Sequence, residues 1–251
     1  MGAFHEGHLQ LMRTAKAEND WAVVSLFVNP TQFGIGEDFE RYPRNLDRDI
    51  ELCKQTGVDV IFAPSTKEIY PRPGCVVQVP EVADMWEGKV RPGHFSGVAT
   101  VVCKLFNIVR CDVAYFGQKD LQQCIVIQRM IEDLNIPIRF SRQPTVREAD
   151  GLAMSSRNTY LSQEHRAVAP MLYEEISACK RLIQEAALGK NTVDRILVAA
   201  SSKLTNAGFQ VDYLELIELE SARPIRDNTQ PSALIVAARI GNTRLIDNIL
   251  M

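Results

Sequence analysis

The chain has 251 residues, of which 46% are apolar and 24% are charged, and its formal net charge is -3 at pH 7. This length suits one large domain or two ordinary ones, since domains commonly run to roughly 100–200 residues. The weak negative charge gives no reason to expect binding to nucleic acid or to a membrane, and no apolar run approaches the roughly 18 residues that suggest a membrane span.

The cysteines and the first residues bear on where the protein works. Six cysteines are scattered along the chain, and none forms a Cys-x-x-Cys pair. Several lie inside apolar runs, which indicates reduced, buried thiols in a cytoplasmic protein. The first residues, MGAFHEGH, lack the basic start and the apolar stretch of a signal peptide, so no targeting segment is predicted.

The first two-thirds of the chain alternates between short apolar runs and helical patterns. Helices are predicted at 8–18, 45–56, 96–109 and 119–134. Strands are predicted at 21–29, 58–63, 75–79, 112–116 and 136–141. The first two strands have the composition of strands buried on both faces. This alternation predicts an α/β fold, a Rossmann-like parallel sheet with helices on both faces, and a ligand at the carboxyl ends of its strands.

The rhythm changes after about residue 145. The patterns that follow are two long helices and three apolar strands, at 163–188, 192–206, 211–218, 233–240 and 245–249. Gly241-Asn242 between the last two strands indicates a tight hairpin. Helices followed by antiparallel strands predict a smaller α+β domain, so the domains are expected at 1–145 and 146–251.

Two histidines stand at the start of the first predicted helix, in the motif His5-Glu6-Gly7-His8. The backbone N–H groups at a helix start favour phosphate, Gly7 permits a close approach to the backbone, and imidazoles donate hydrogen bonds as charge builds on phosphate oxygens. A metal pair and a chance spacing remain as alternatives, although a metal site would want further ligands nearby.

Two polar turns are candidates for further phosphate contacts. Gly117 and Lys119 follow a predicted strand and lead into a helix, while Ser155, Ser156 and Arg157 form a short polar loop in which the guanidinium can bind phosphate through two hydrogen bonds. An ordinary strand–helix turn and an ordinary surface loop are the alternatives. No P-loop sequence exists in the chain.

Two amides follow the first predicted strand, in the segment Asn29-Pro30-Thr31-Gln32-Phe33. Amides at the carboxyl end of a parallel strand suit a small polar substrate with hydroxyl and carboxylate groups. Capping of a turn by Asn29 is the alternative.

The order and wording of these motifs are more specific than each motif alone. The segments that carry the likeness are MGAFHEGH, FVNPTQF, RYPRNLDRD, RPGHFSGVATVV, YFGQKDLQQ and READGLAMSSRN. Together they closely resemble the pantothenate synthetase family over the whole chain. HEGH is similar to the HIGH-type nucleotide motif that this family shares with class I aminoacyl-tRNA synthetases, and MSSRN occupies the place of the KMSKS-type loop.

The resemblance implies a two-step ligase reaction. The carboxylate of pantoate attacks the α-phosphorus of ATP, which releases pyrophosphate and leaves pantoyl adenylate. The amine of β-alanine then attacks the acyl carbon and displaces AMP, giving pantothenate. Because a bound adenylate is hydrolysable, a loop that closes and excludes water is expected, and the candidates are segment 34–45 and the MSSRN turn.

The resemblance also assigns residues to the nucleotide. The catalytic group consists of His5, His8, Lys119 and Arg157, with His8 as the proton donor. The ATP site is implied to contain Met1, Gly7, Gly117, Lys119, Asp120, Val146, Met154, Ser155, Ser156 and Arg157. Attack at phosphorus needs positioning and charge neutralisation, which these donors supply.

Substrate, metal and subunit assignments come from the same resemblance. Gln32 and Gln123 are implied to hold pantoate, beside Asn29, and Gln32 lies near β-alanine. Mg²⁺ is implied to bridge the phosphates, with Asp49 as the acidic candidate near it. The family also implies a homodimer that pairs through the first domain.

The start of the sequence departs from the family pattern. Family members begin with a further helix and a first strand that ends in PTMG, whereas residue 1 here is the Met of that motif. A start placed too late is favoured over a truncated form as the explanation. The strand expected in the middle of the parallel sheet is then missing, and its neighbours are expected to lose backbone partners and to expose apolar edges.

Three other functions stay open. The first is that of another nucleotidyltransferase of the same superfamily with a different acceptor, against which the NPTQF segment and the second domain argue. The second is that of a non-catalytic protein that binds ATP without turnover. The third is that of a tRNA-binding relative of the synthetases, which the net acidic charge and the lack of a basic stripe disfavour.

Overall fold

The computed structural model describes residues 2–34, 36–37, 39–185, 190–227 and 229–251. The chain divides into two units. The first comprises the residues up to Gly117 together with Gln122–Pro144, and the second comprises Gln118–Leu121 together with Thr145–Met251. None of the helices within the described ranges has the length and apolar character needed to cross a membrane.

The first unit alternates helices and strands along the chain. Its helices are α1 (Glu6–Glu18), α2 (Leu46–Gln55), α3 (Thr66–Ile69), α4 (Trp86–Val90), α5 (His94–Val109) and α6 (Leu121–Asp133), whose first residue counts with the second unit. Its strands are β1 (Val23–Ser25), β2 (Val60–Phe62), β3 (Val113–Gly117) and β4 (Arg139–Gln143). Helix α2 begins at the cap residue Asn45, whose side chain accepts the N–H of Arg48.

The strands of the first unit form parallel pairs. β1 pairs with β2, with Val24 opposite Ile61, and β3 pairs with β4, with Ala114 opposite Phe140. The prediction that the first two strands are buried on both faces is wrong, because Val23 is 39% exposed and its partner Val60 is 45% exposed. Each belongs to a pair of only two strands among the described residues, so one edge of each strand has no hydrogen-bonded neighbour, and these two side chains are not covered by packed elements.

The predicted strand at 75–79 is also wrong. The backbone there joins no strand, and the N–H of Val77 donates to the hydroxyl of Thr100 on α5. Alternating apolar residues in this segment therefore cover a helix without entering a sheet. Elsewhere in the first unit Phe4, Met12, Leu26 and Cys53 form a core cluster between α1, β1 and α2.

The second unit places helices before an antiparallel sheet. Its helices are α7 (Gln163–Val168), α8 (Met171–Glu185) and α9 (Lys190–Asn206), and its strands are β5 (Gln210–Glu218), β6 (Ser232–Ile240) and β7 (Thr243–Leu250). The strand order is β5-β6-β7. Gly241, at φ +55°, makes the predicted turn between the last two strands, which confirms the hairpin.

The single helix predicted at 163–188 is wrong, because the chain breaks between α7 and α8. Pro170 lies at the break, where its missing N–H cannot complete a helical hydrogen bond. Residues 186–188 of that prediction lie outside the described residues. Parallel strands with helices in the first unit and an antiparallel sheet in the second confirm the predicted fold class.

Candidate active site

The histidine motif forms the first turn of α1. His5 is the residue that caps the helix and His8 lies one turn along, with the two ring centroids 4.0 Å apart. Nδ1 of His8 accepts the backbone N–H of His5 at 3.3 Å. A neutral imidazole that accepts at Nδ1 carries its proton on Nε2, so His8 offers a donor there. Gly7 lies between them, at the helix start.

The backbone ahead of this motif is held by Asp49. The carboxylate of this α2 residue accepts the N–H of Ala3 at Oδ2 and the N–H of Phe4 at Oδ1, each at 2.9 Å. Asp49 is only 1% exposed, and Ala3 has φ +55°, the left-handed conformation that costs energy for a residue with a Cβ. The carboxylate thus stabilises a strained turn directly before His5.

The contacts of Asp49 bear on its assignment as a magnesium ligand. Each of its oxygens accepts one backbone N–H group and the residue is buried, whereas Mg²⁺ usually retains several water ligands. Among the described residues no group of three or more His, Cys, Asp and Glu side chains could hold a metal ion. The magnesium assignment of Asp49 stays a prediction.

The amides predicted for substrate lie together after β1. Asn29 is 3% exposed, and its Nδ2 donates to Oε1 of Gln32 at 3.2 Å and to the carbonyl of Gly97 at 3.1 Å. Its Oδ1 accepts the hydroxyls of Thr31 and Tyr70, both at 2.9 Å. Asn29 therefore serves to orient the side chain of Gln32.

Glycine is required where α5 meets this turn. A Cβ on Gly97 would lie 2.3 Å from the carbonyl oxygen of Thr31, far inside contact distance. The absence of a side chain lets the helix approach the backbone and receive the hydrogen bond from Asn29.

An ion pair that the sequence analysis missed fixes the backbone of Gln32. Arg91 binds Glu37 through Nε at 2.7 Å and through a terminal nitrogen at 2.6 Å, and another terminal nitrogen lies 3.0 Å from Nε2 of His94. Nδ1 of His94 lies 2.8 Å from the carbonyl of Gln32. Burial, followed by the charge of Arg91, lowers the pKa of His94. The segment RPGHF contains Arg91 and His94, and this pair of basic residues was the sequence signal for the cluster.

The remaining predicted residues of the first unit are Gly117 and Gln123. Gly117 ends β3, and its carbonyl lies 3.4 Å from the thiol of Cys124. Gln123 is half-buried on α6. Its neighbour Gln122 is committed to structure, since it accepts from the N–H of Glu87 and donates to the carbonyls of Val82 and Met85.

The second unit carries the other predicted nucleotide residues in two turns. Lys119 and Asp120 lie in the 3₁₀ turn Gln118–Asp120, with Nζ of Lys119 3.6 Å from the Asp120 carboxylate. Val146 and Met154 face each other in a small hairpin, where the N–H of Met154 donates to the carbonyl of Val146 at 3.0 Å.

The Ser-Ser-Arg turn follows this hairpin directly. Ser155 caps the 3₁₀ helix Ser156–Tyr160, and its hydroxyl accepts the N–H of Arg157 at 3.3 Å. Asn158 donates to Glu148 and to the carbonyl of Ala153, which ties the turn to the hairpin. Ser155, Ser156 and Arg157 are half-buried. The structure thus groups His5, Gly7 and His8 in one unit and Lys119 with the Ser-Ser-Arg turn in the other, while Met1 lies outside the described residues.

The first unit carries paired imidazoles at a helix start and an amide cluster at a strand end, and the second carries a turn with hydroxyls and a guanidinium. Donors of these kinds suit phosphate chemistry. Together with the α/β unit and the α+β unit that carry them, they indicate an enzyme of the α/β class.

Comparison with known proteins gives the family. The family model described as pantoate-beta-alanine ligase matches residues 1–250. The chain is 47% identical to the pantothenate synthetase of Caldicellulosiruptor saccharolyticus, over 100% of this chain and 89% of that protein. It is 48% identical to that of Aquifex aeolicus, over 99% of this chain and 88% of that protein. The chain belongs to the pantoate–β-alanine ligase family.

Solved structures agree with this membership. The crystal structure of pantothenate synthetase from Thermus thermophilus matches with a TM-score of 0.94 and 46% identity, covering 99% of this chain and 90% of that chain. The pantoate-beta-alanine ligase from Francisella tularensis, crystallised with beta-gamma ATP and β-alanine, matches with a TM-score of 0.81 and 36% identity. This match covers 100% of this chain and 87% of that chain. The resemblance stated from the motifs is confirmed, and the protein is a ligase.

Proposed function

We propose that the protein joins pantoate to β-alanine with ATP through a pantoyl adenylate, and that it has the two domains 1–145 and 146–251. The observation that carries this proposal is the His5–His8 pair in the first turn of α1, with a donor at Nε2 of His8. Family membership supplies the acid and the amine.

In the first step a pantoate carboxylate oxygen forms a bond to the α-phosphorus, and the bond from that phosphorus to the bridging oxygen breaks. Pyrophosphate leaves with the electron pair. Negative charge grows on the phosphate oxygens as this happens, and the imidazoles, Lys119 and Arg157 stabilise it. The N–H groups at the start of α1 add a partial positive charge at the same place.

In the second step the β-alanine nitrogen forms a bond to the acyl carbon. The bond from that carbon to the adenylate oxygen breaks, AMP leaves, and the amine loses a proton. Gln32 and Gln123 hold the pantoyl group by hydrogen bonds, and Asn29 orients Gln32. This arrangement needs no covalent enzyme intermediate, because the reaction depends on positioning and charge neutralisation more than on covalent chemistry.

Magnesium enters the proposal as a partner of ATP. When it is bound, its charge reduces the repulsion among phosphate oxygens, and such ions are commonly held by phosphates with one or two carboxylates. A homodimer that pairs through the first domain and a cytoplasmic location belong to the same proposal, and sedimentation of the purified protein tests the dimer.

The deciding experiment supplies ATP, pantoate and β-alanine and separates the products. Pantothenate, AMP and pyrophosphate are expected in equal amounts. With β-alanine omitted, exchange of labelled pyrophosphate into ATP should still require pantoate. Exchange that needs a phosphorylated acceptor would favour another nucleotidyltransferase, and ATP binding without AMP formation would favour a non-catalytic protein.

A further inference from the structure

Asn248 of β7 makes hydrogen bonds that its place in the strand does not require. The residue is 2% exposed, and its Nδ2 donates to the carbonyls of Gln118 at 2.9 Å and Lys119 at 3.0 Å. Its Oδ1 accepts Nε2 of Gln118 at 3.2 Å. Both side-chain N–H groups and the side-chain oxygen of Asn248 thus form hydrogen bonds with the turn that carries Lys119.

The neighbouring Asp247 anchors a second turn. Its carboxylate binds Arg147 through two hydrogen bonds, at 2.6 and 2.9 Å, and accepts the N–H of Asn248 at 2.7 Å. Arg147 also donates to the carbonyl of Gly151 at 3.1 Å, and its guanidinium lies 3.6 Å from the ring centre of Tyr173. A bidentate, stacked guanidinium has little freedom.

Arg147 belongs to the hairpin that leads into the Ser-Ser-Arg turn. It pairs with Ala153 as an isolated β-bridge, one residue before Met154. Fixing Arg147 therefore fixes the backbone from which Ser155 and Arg157 follow. Adjacent residues of one strand thus hold the two turns of the second unit that carry Lys119 and Arg157.

We propose that Asn248 is a positioning residue for the reaction, which sets the direction of Lys119 through two backbone carbonyls. Asp247 does the same for the turn that carries Arg157, through its ion pair with Arg147. Strand β7 thereby fixes the separation between an ammonium and a guanidinium that bind one triphosphate. This inference rests on the proposed function of these two cations.

The physical reason lies in the backbone geometry. Two consecutive carbonyls held by one rigid amide restrict the torsions around Lys119, so its side chain starts from a fixed direction. A misplacement of about 1 Å in a catalytic group can cost on the order of 100-fold in rate. Asparagine has a low propensity for strands, and burying its amide costs free energy. Its hydrogen bonds to the Lys119 turn offset that cost.

A double-mutant cycle tests the proposal. Asn248→Ala, Lys119→Ala and the double variant are compared in pantoate-dependent pyrophosphate release at varied ATP. Asn248→Ala should lower kcat/KM for ATP by about 10–100-fold in the parent. In the Lys119→Ala background the same change should cost no more than about 2-fold, because the group it positions is already gone.

The outcomes separate the inference from the function. Equal losses in both backgrounds would overturn the positioning role, whereas a parent protein that makes no AMP from pantoate and ATP would overturn the proposed function itself. Thermal unfolding is followed for every variant, and Asn248→Ser, whose hydroxyl can still donate to one carbonyl, takes the place of alanine in the cycle if the alanine variant fails to fold.

A matched control removes an ion pair elsewhere on β7. Arg244, near the start of β7, donates from Nε to the carboxylate of Asp212 on β5 at 2.6 Å. Asp212→Asn should lower the thermal midpoint without coupling to Lys119. Coupling of Asp212→Asn as strong as that of Asn248→Ala would show a general effect of the sheet and overturn the specific role of Asn248.

Discussion

Nδ2 of Asn29 donates a hydrogen bond to Oε1 of Gln32 across 3.2 Å. The orientation of the Asn29 amide is determined by its partners, since the backbone N–H of Thr31 and the Tyr70 hydroxyl both donate to its oxygen. Oε1 of Gln32 is thereby engaged, and Nε2 of the same amide is the donor that the proposed function assigns to pantoate.

Replacement of Asn29 by aspartate should impair pantoate more than ATP. The change removes the donor to Gln32 and places a negative oxygen beside Oε1 and the carbonyl of Gly97. We expect kcat/KM for pantoate to fall by about 10–100-fold. A buried carboxylate that faces two other acceptors costs more free energy than the loss of a neutral hydrogen bond. Pyrophosphate release at varied pantoate and at varied ATP measures both values.

Asn107→Asp is the control, because that side chain donates to Cys103 within the exposed face of α5. It should leave both kinetic values unchanged. Equal losses for pantoate and ATP in Asn29→Asp would argue that the residue supports the fold without orienting Gln32.

Replacement of His8 by asparagine separates its two nitrogens. Oδ1 of asparagine can accept the N–H of His5 as Nδ1 does now, whereas nothing replaces the donor at Nε2. Adenylation should fall by about 10²–10³-fold, which is the usual cost of one donor to a developing oxyanion. Single-turnover formation of pantoyl adenylate measures the loss.

The thermal midpoint of His8→Asn should stay near that of the parent, because the helix start keeps its hydrogen bond. Unfolding at a much lower temperature, with the rate per folded molecule unchanged, would assign His8 to stability alone.

Local signals in the sequence predicted much of the fold. Gly57, which follows α2, marks the end of that helix and has φ +77°. The hairpin at Gly241 follows from its turn residues. The break at Pro170 had a local signal too, and the helical periodicity on both sides outweighed it.

What the sequence did not predict depends on distant partners. The burial of β1 and β2 is set by the elements that pack around them, and periodicity within a strand does not contain that information. The same holds for the site. Asp49 lies 45 residues from Phe4 along the chain, and Asn248 lies 129 from Lys119. The polar pair Asp247-Asn248 inside an apolar strand is the local sign of the role proposed for Asn248.

Replacement of Asp49 by asparagine distinguishes a structural carboxylate from a metal ligand. An asparagine oxygen can accept from Ala3 or Phe4 but not both, and its NH₂ group would face the other donor. The free energy of unfolding should fall by about 1–3 kcal/mol, the cost of leaving a buried donor unsatisfied. Chemical denaturation followed by circular dichroism measures it.

A magnesium titration of the same variant completes the test. The Mg²⁺ concentration for half-maximal activity should match that of the parent. If that concentration rises several-fold while stability is unchanged, Asp49 binds the metal and the structural account is wrong.

Acid should weaken the cluster of His94, Arg91 and Glu37. In the neutral ring Nε2 accepts from Arg91 and Nδ1 donates to the carbonyl of Gln32, so both nitrogens are satisfied without a charge. Burial, followed by Arg91, lowers the pKa of His94, although the carboxylates of Glu87 and Glu37 oppose the shift. The unfolded chain therefore binds this proton more readily than the folded one.

The free energy that His94 contributes to stability is therefore fully present above the unfolded pKa of about 6.5. It is lost as the pH falls through that value toward the lower folded pKa. His94→Asn, whose amide can still donate to Gln32, has no such proton to bind. The thermal midpoint of the parent should fall more steeply than that of the variant between neutral and mildly acid pH. Parallel curves for the two proteins would show that His94 does not titrate differently on folding.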